Sequence, residues 1–228
     1  MKLLLINGSP RGKASNSRIL AGKFLEGFKN KHDSEIVDLR KEIDSISKLA
    51  ERLSDFTHII MVFPLYTDSM PAIVKRLIEE IGNSKIDLSG LEIGYIVQSG
   101  FPESYQSEFL EKYLKKLTSR IKAKYLGTII KGGVEGIKIQ PEWMTRKLFN
   151  NFRELGRIFA ETGEFDKIVK NTLADPRLFS KRRLRIFGLL QKTGLTNFYW
   201  NSQLKKNKVF ENELLLLQKN KPNWSKIG

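Results

Sequence analysis

Leu3-Leu4-Leu5-Ile6-Asn7-Gly8-Ser9-Pro10-Arg11-Gly12-Lys13-Ala14-Ser15-Asn16-Ser17-Arg18 carries a wholly apolar strand straight into a turn of small, hydroxylated and cationic residues. A strand without polar alternation is buried on both faces, as in parallel sheets covered by helices. The turn collects backbone N–H groups, hydroxyls and positive charge where a helix begins. The positive end of that helix dipole favours a phosphate monoester. The stretch therefore predicts a phosphorylated cofactor near the N-terminus.

Two better-known phosphate loops are excluded. A Walker A loop has four residues between its glycines, followed by Lys and a Ser or Thr for magnesium. Here Gly8 and Gly12 enclose three, and Ala14 follows Lys13. A dinucleotide fingerprint requires G-x-G-x-x-G, and Gly8-Ser9-Pro10 lacks the second glycine; Asp38 then has no claim to a ribose. What remains is a loop able to wrap one terminal phosphate. Ser9, Ser15, Asn16 and Ser17 supply donors and Arg11 supplies charge. The competing account is an ordinary strand–helix turn in which Ser15 or Asn16 serves as N-cap.

Outward from this loop, strand and helix patterns alternate to residue 165. Strands are predicted at Lys2–Asn7, Glu35–Leu39, Thr57–Phe63, Ile93–Gln98 and Ala123–Ile130. Helices are predicted at Ser17–Asn30, Ile43–Ser54, Met70–Ile81, Ser104–Arg120 and Pro141–Thr162, the last stopped by Gly163. Pro71 falls near a first helical turn, where its missing N–H costs nothing. This order implies an α/β fold with a doubly wound parallel sheet and helices on both faces. Ligands of such sheets bind beyond the carboxyl ends of the strands, which brings residues 8–18, 64–71, 98–104 and 131–136 to one edge.

Two of these segments are aromatic. Pro64-Leu65-Tyr66-Thr67 and Ser99-Gly100-Phe101 each offer backbone N–H groups and a ring face to a flat ligand. Gly100 permits close backbone approach. Tyr66 and Phe101 packing on neighbouring loops is the plain alternative. A planar ring with a single phosphate tail fits all three loops together.

As a set, Gly8-Ser9-Pro10-Arg11 with Ser15-Asn16-Ser17, Pro64-Leu65-Tyr66 with Pro71 and Lys75, Ser99-Gly100 and Gly132-Gly133 resemble the NADPH-dependent FMN reductase-like family of flavodoxin-like proteins. The resemblance covers about residues 1–165. It implies a five-stranded parallel sheet in the order 2-1-3-4-5, non-covalent FMN, NAD(P)H as co-substrate and a homo-oligomer, dimeric or tetrameric. Carried over by position, Ser9, Arg11, Asn16 and Ser17 correspond to phosphate ligands. Pro64, Leu65, Tyr66, Ser99, Gly100 and Phe101 correspond to isoalloxazine contacts. The chain departs from iron–sulfur relatives in lacking their cysteine cluster, and residues beyond 165 have no counterpart in compact members.

Composition fits this outline. The 228 residues, 40% hydrophobic, suffice for one full core. Without cysteine there is no disulfide, thiolate nucleophile or Cys-ligated cluster. His32 and His58 are the only imidazoles, one in a charged turn and one opening a strand, so both read as structural. Met1-Lys2 precedes a short apolar run without a cleavable-signal pattern, and a cytoplasmic address is expected. The net charge of +15 is uneven: residues 166–228 hold 14 Lys and Arg against 4 Asp and Glu. This segment reads as a second, basic helical extension of the 1–165 domain. Its interleaved cations and apolar residues at 177–208, with Phe198-Tyr199-Trp200 and the run Leu214–Leu217, suit packing on the flavin domain or on a partner subunit. They also suit an anionic membrane surface. Nucleic acid is disfavoured, since no binding motif appears.

The function expected is hydride transfer from NAD(P)H to flavin and onward to a flavin, quinone or small electrophilic acceptor. With a flavin in place no side-chain acid or base is required. Tyr66 is the one candidate to donate a proton or hydrogen bond to substrate, against a simple packing role. The alternative is a flavodoxin-like carrier taking electrons from a protein partner; the chain's basicity favours the enzyme.

Overall fold

The computed structural model describes residues 1–28, 32–84, 86–192, 201 and 204–205. Strands β1 (Lys2–Asn7), β2 (Asp33–Asp38), β3 (His58–Pro64), β4 (Glu92–Gln98) and β5 (Lys124–Lys131) form one parallel sheet in the order β2-β1-β3-β4-β5. Both the strand count and the order agree with expectation.

The apolar strands bury both faces, as their patterns require. On one face Leu3, Leu5, Ile60, Val62, Ile96 and Ile129 pack under α1 (Asn16–Phe28) and α5 (Glu142–Thr162). On the other, Leu4, Ile6, Ile59, Met61, Phe63 and Tyr95 pack under α2 (Ile46–Glu51), α3 (Ala72–Asn83) and α4 (Glu108–Arg120). Helices α1 and α5 lie almost backbone to backbone. A Cβ on Gly156 would fall on the Phe24 carbonyl oxygen, and one on Gly27 on that of Arg153. Helix α5 ends at Gly163, whose φ of 73° is the left-handed cap expected of glycine.

Some boundaries depart from the sequence reading. The helix predicted at 43–54 is broken into a 3₁₀ turn at Leu39–Ser45, the short α2 and another 3₁₀ turn at Arg52–Asp55. Ser45 donates to the Glu42 carboxylate at 2.7 Å, a local bond of the kind that competes with helix. Helix α3 begins after Pro71, whose carbonyl accepts from Val74 N–H at 2.9 Å. Residues 104–107 form a 3₁₀ turn rather than the start of α4. The Ser104 and Tyr105 N–H groups donate instead to the carbonyls of Pro176 and Arg177.

Residues Met1–Leu178 form one compact unit. Within it α6 (Lys167–Ala174), capped by the Asp166 carboxylate accepting from Val169 N–H at 2.8 Å, packs on β5 and α5. Phe165 covers Gly94 and Gly127 at the irregularity in the β4–β5 register. A second unit spans Phe179–Gly228, and its described helix is α7 (Lys181–Lys192). Phe198-Tyr199-Trp200, Lys206-Asn207-Lys208 and Leu214–Leu217 lie outside the described residues. Among the described residues no helix is long and apolar enough to cross a membrane.

Candidate functional site

Strands β1, β3, β4 and β5 end at the same sheet edge, and the segments that follow them enclose one pocket. It is lined by Ser9, Arg11, Ser15, Asn16, Pro64, Leu65, Tyr66, Gln98, Ser99, Gly100 and Glu135. All the predicted site residues line it except Ser17, Thr67 and Phe101.

The loop after β1 is shaped by Asn7, the buried last residue of that strand. Its side-chain amide donates to the Gly12 carbonyl at 2.9 Å and to the Asp38 carboxylate at 2.8 Å, and its Oδ1 accepts from Ser9 N–H at 3.3 Å. Asp38, 3.8 Å from Arg18 Nε, braces the loop from behind. Ser15 donates to the Gly12 carbonyl at 2.7 Å and accepts from Arg18 N–H at 3.1 Å. That is an N-cap for α1. The Asn16 side chain reaches across the pocket edge to donate to the Val134 carbonyl at 2.8 Å. Among the described residues, two hydroxyls of this loop accept a hydrogen bond without donating one. Ser9 is buried with its Oγ 3.4 Å from Arg11 N–H, and Ser17 Oγ accepts from Gln98 Nε2 at 3.2 Å. The first N–H groups of α1, on Asn16 and Ser17, have no intrahelical partner and no other among the described residues. Ser9, Arg11 and Asn16 thus line the pocket beside the N-terminus of α1, whereas Ser17 does not line it.

The opposite wall is built for a flat group. The N–H groups of Leu65, Tyr66 and Ser99 are engaged by the carbonyls of Gln98, Ser69 and Lys131 at 2.8, 2.9 and 3.0 Å. Those of Thr67, Gly100 and Phe101 make no hydrogen bond among the described residues, so they are the donors left for a ligand. Thr67 (φ 46°) and Asp68 (φ 63°) are both left-handed, closing a tight turn between Tyr66 and Ser69. For a β-branched residue this conformation is unusual. Tyr66 and Phe101 remain 43% and 53% exposed, which leaves their rings available. The loop after β5 is drawn in close: Gly133 N–H donates to the Phe101 carbonyl at 2.8 Å, and a Cβ on Gly132 would strike that same oxygen.

Neither histidine approaches the pocket. His58 packs edge-on against Phe159 and bonds the Thr57 hydroxyl at 2.9 Å, and burial holds its pKa below the ordinary value against the opposing pull of Glu92. His32 bonds the Ala160 carbonyl at 2.9 Å. Among the described residues no cluster of His, Asp and Glu is arranged to hold a metal ion. Three residues of the site were not singled out from sequence. Asn7 and Gln98 carried a signal, each a polar residue ending an apolar strand; Glu135, a lone acid in a glycine-rich loop, carried none.

The sequence profile of a family described as flavodoxin-like fold matches residues 1–148. A search of curated proteins gave no match. Among solved structures, the chain is similar to an FMN-dependent NADH-azoreductase from Bacillus anthracis solved with FMN, at 16% identity and a TM-score of 0.56, covering 70% of this chain and 100% of that one. It is similar to an NAD(P)H:quinone oxidoreductase from Methanothermobacter marburgensis at 16% identity and a TM-score of 0.56, over 68% and 94% of the two chains. A protein from P. pentosaceus described as an NADPH-quinone reductase matches at 20% identity and a TM-score of 0.53, over 68% and 96%. At these identities the likeness is one of fold.

Proposed function

Since the chain belongs to the flavodoxin-like fold family, we propose that its pocket holds FMN and that the protein is an NAD(P)H-dependent oxidoreductase acting on a small-molecule acceptor such as a flavin, quinone or other electrophile. The observation carrying this reading is the pairing of two unlike halves in one pocket: the donors of Ser9, Arg11 and Asn16 on one side, and the unbonded Gly100 N–H with the exposed Tyr66 ring on the other. An enzyme described as an FMN-dependent NADH-azoreductase and one described as an NAD(P)H:quinone oxidoreductase are built on this fold.

In this reading Ser9, Ser17, Arg11 and the N–H groups of Asn16 and Ser17 hold the phosphate. Pro64, Leu65 and Tyr66 flank the ring, and the N–H groups of Thr67, Gly100 and Phe101 face its polar edge. Bound there, FMN would supply the redox chemistry, hydride uptake and onward electron transfer. The chain's own contribution is electrostatic, because fixed donors stabilise negative charge without reorganising. Ser15 and Asn7 hold the loop in the shape that aims those donors. Among the described residues, Tyr66 and Glu135 are the side chains lining the pocket that could act as acid or base.

A surface proposal accompanies it. Helix α7 carries five cations and no acid, and Leu184, Ile186 and Leu189 on it are 53%, 49% and 65% exposed. This favours contact of residues 177–208 with an anionic membrane surface.

The visible spectrum of the purified chain tests the flavin reading. Added FMN should remain bound through gel filtration, and its absorbance should bleach when NADH or NADPH is added without oxygen. A protein that takes up no FMN would overturn the proposal. One that binds FMN, ignores both nicotinamides and accepts electrons from a reductase would be a carrier instead.

A further inference from the structure

Glu135 places a carboxylate in the mouth of a site otherwise assembled for an anion. Its Oε1 lies 3.3 Å from Arg11 Nη1, on the guanidinium that would meet a phosphate. The position is fixed by the backbone. Asn16 Nδ2 donates to the Val134 carbonyl at 2.8 Å with the Glu135 carbonyl at 3.4 Å, and Val134 N–H donates to the Ser99 carbonyl at 3.1 Å. On the ring side, a Cβ on Gly100 would touch the Glu135 Cβ at 3.4 Å. The carboxylate therefore stands between the two halves of the pocket, joined to the α1 N-terminus and to the β4 loop.

As an ion pair the contact adds little to stability, since the Arg11 side chain is 59% exposed. Toward a ligand its effect is larger. A phosphate carrying close to two negative charges must share Arg11 with Glu135 and sit beside that carboxylate. Like charges brought together in a partly desolvated site are costly, and the cost falls on the phosphate rather than on the ring.

We propose that Glu135 is a specificity-determining residue that competes with the ligand phosphate for Arg11, so that the flavin is held as an exchanging ligand and not as a permanently seated one. This rests on the flavin reading above and goes beyond it by naming the residue that sets the phosphate's contribution.

The test is a fluorescence-quenching titration of the full chain and of Glu135→Gln with FMN and, separately, with riboflavin, which has the ring without the phosphate. Gln keeps the size of the side chain and removes its charge. Glu135→Gln should tighten FMN about tenfold, leave riboflavin within about twofold, and slow the release of FMN measured by dilution. In the Glu135→Gln background, Arg11→Ala should weaken FMN more than it does in the parent chain, where Arg11 is already engaged. An equal change for both flavins, or none for FMN, overturns the role of Glu135 while leaving the flavin site standing. If neither protein quenches either flavin, the flavin reading falls and this inference with it.

Discussion

Ser9, Ser15 and Ser17 are the same residue type within one loop, yet their hydrogen bonds divide them. Ser15 is satisfied entirely by protein, as acceptor from Arg18 N–H and donor to the Gly12 carbonyl. Ser9 has a buried hydroxyl whose proton is not used by the loop. Ser15→Ala should therefore lower stability by about 1 kcal/mol, the usual worth of an N-cap. Ser9→Ala should leave stability nearly unchanged and weaken FMN about tenfold or more, since a hydrogen bond to a charged group contributes about 1.5–3 kcal/mol. Urea melts and flavin titrations on the two variants separate these outcomes, and the reverse pattern would mean that the roles have been exchanged. The loop was legible in sequence as a donor-rich turn after an apolar strand. Which serine caps and which keeps its hydroxyl proton for a ligand was not, because that depends on where Asn7 pins the Gly12 carbonyl. The same limit applies to Asn16, whose amide ties down the β5 loop, and to Glu135, brought to the pocket by a loop well over a hundred residues further along the chain.

Among the elements, the contact between α1 and α5 depends most on single atoms. Gly27 and Gly156 let the two helix backbones meet with no side chain between them. Gly156→Ala must push them apart, and with backbone on the receiving side the strain has no flexible side chain to relax into. A loss of about 3 kcal/mol is expected, at the upper end for overpacking. Gly22 on the same α1 offers the control: a Cβ there meets nothing within 4 Å, so Gly22→Ala should raise stability by about 0.5–1 kcal/mol through helix propensity alone. Equilibrium denaturation of both variants reads the difference, and equal shifts would show that the helices are not held this closely. Most elements could be read from the chain because strands buried on both faces announce themselves as unbroken apolar runs, and helices through spacings of three and four. Residues 43–54 resisted because the apolar spacing of Ile46, Leu49, Ala50 and Leu53 suits a continuous helix, while Ser45 and Glu42 satisfy each other locally and leave only α2 fully helical. The start of α4 was hidden for a different reason: its preceding turn is bonded to Pro176 and Arg177, a pairing no local pattern encodes.

At the scale of the whole molecule, charge is the feature the flavin site does not absorb. The net charge of +15 is concentrated beyond residue 165, and α7 adds five cations without a single acid. On α7, Leu184, Ile186 and Leu189 are about half exposed or more and are interspersed with its cations. Cations interleaved with exposed apolar residues match the surface of an anionic bilayer, where each Lys or Arg near the headgroups is worth about 1 kcal/mol. The full chain should therefore sediment with vesicles containing phosphatidylserine at low salt and remain in solution with purely neutral vesicles. Raising salt from about 0.1 M to about 0.5 M should release it, because screening then shortens the reach of each charge. Replacing Arg182 and Arg185 together by Glu removes two attractions and adds two repulsions, which should weaken binding by at least about thirtyfold, or about 2 kcal/mol. FMN affinity should be unchanged in that variant, since neither residue lines the pocket. If the parent chain stays in the supernatant with anionic vesicles at low salt, the membrane reading fails. A fall in oligomer size on light scattering for the same Arg182→Glu, Arg185→Glu variant would then assign the helix to contacts between copies of the chain.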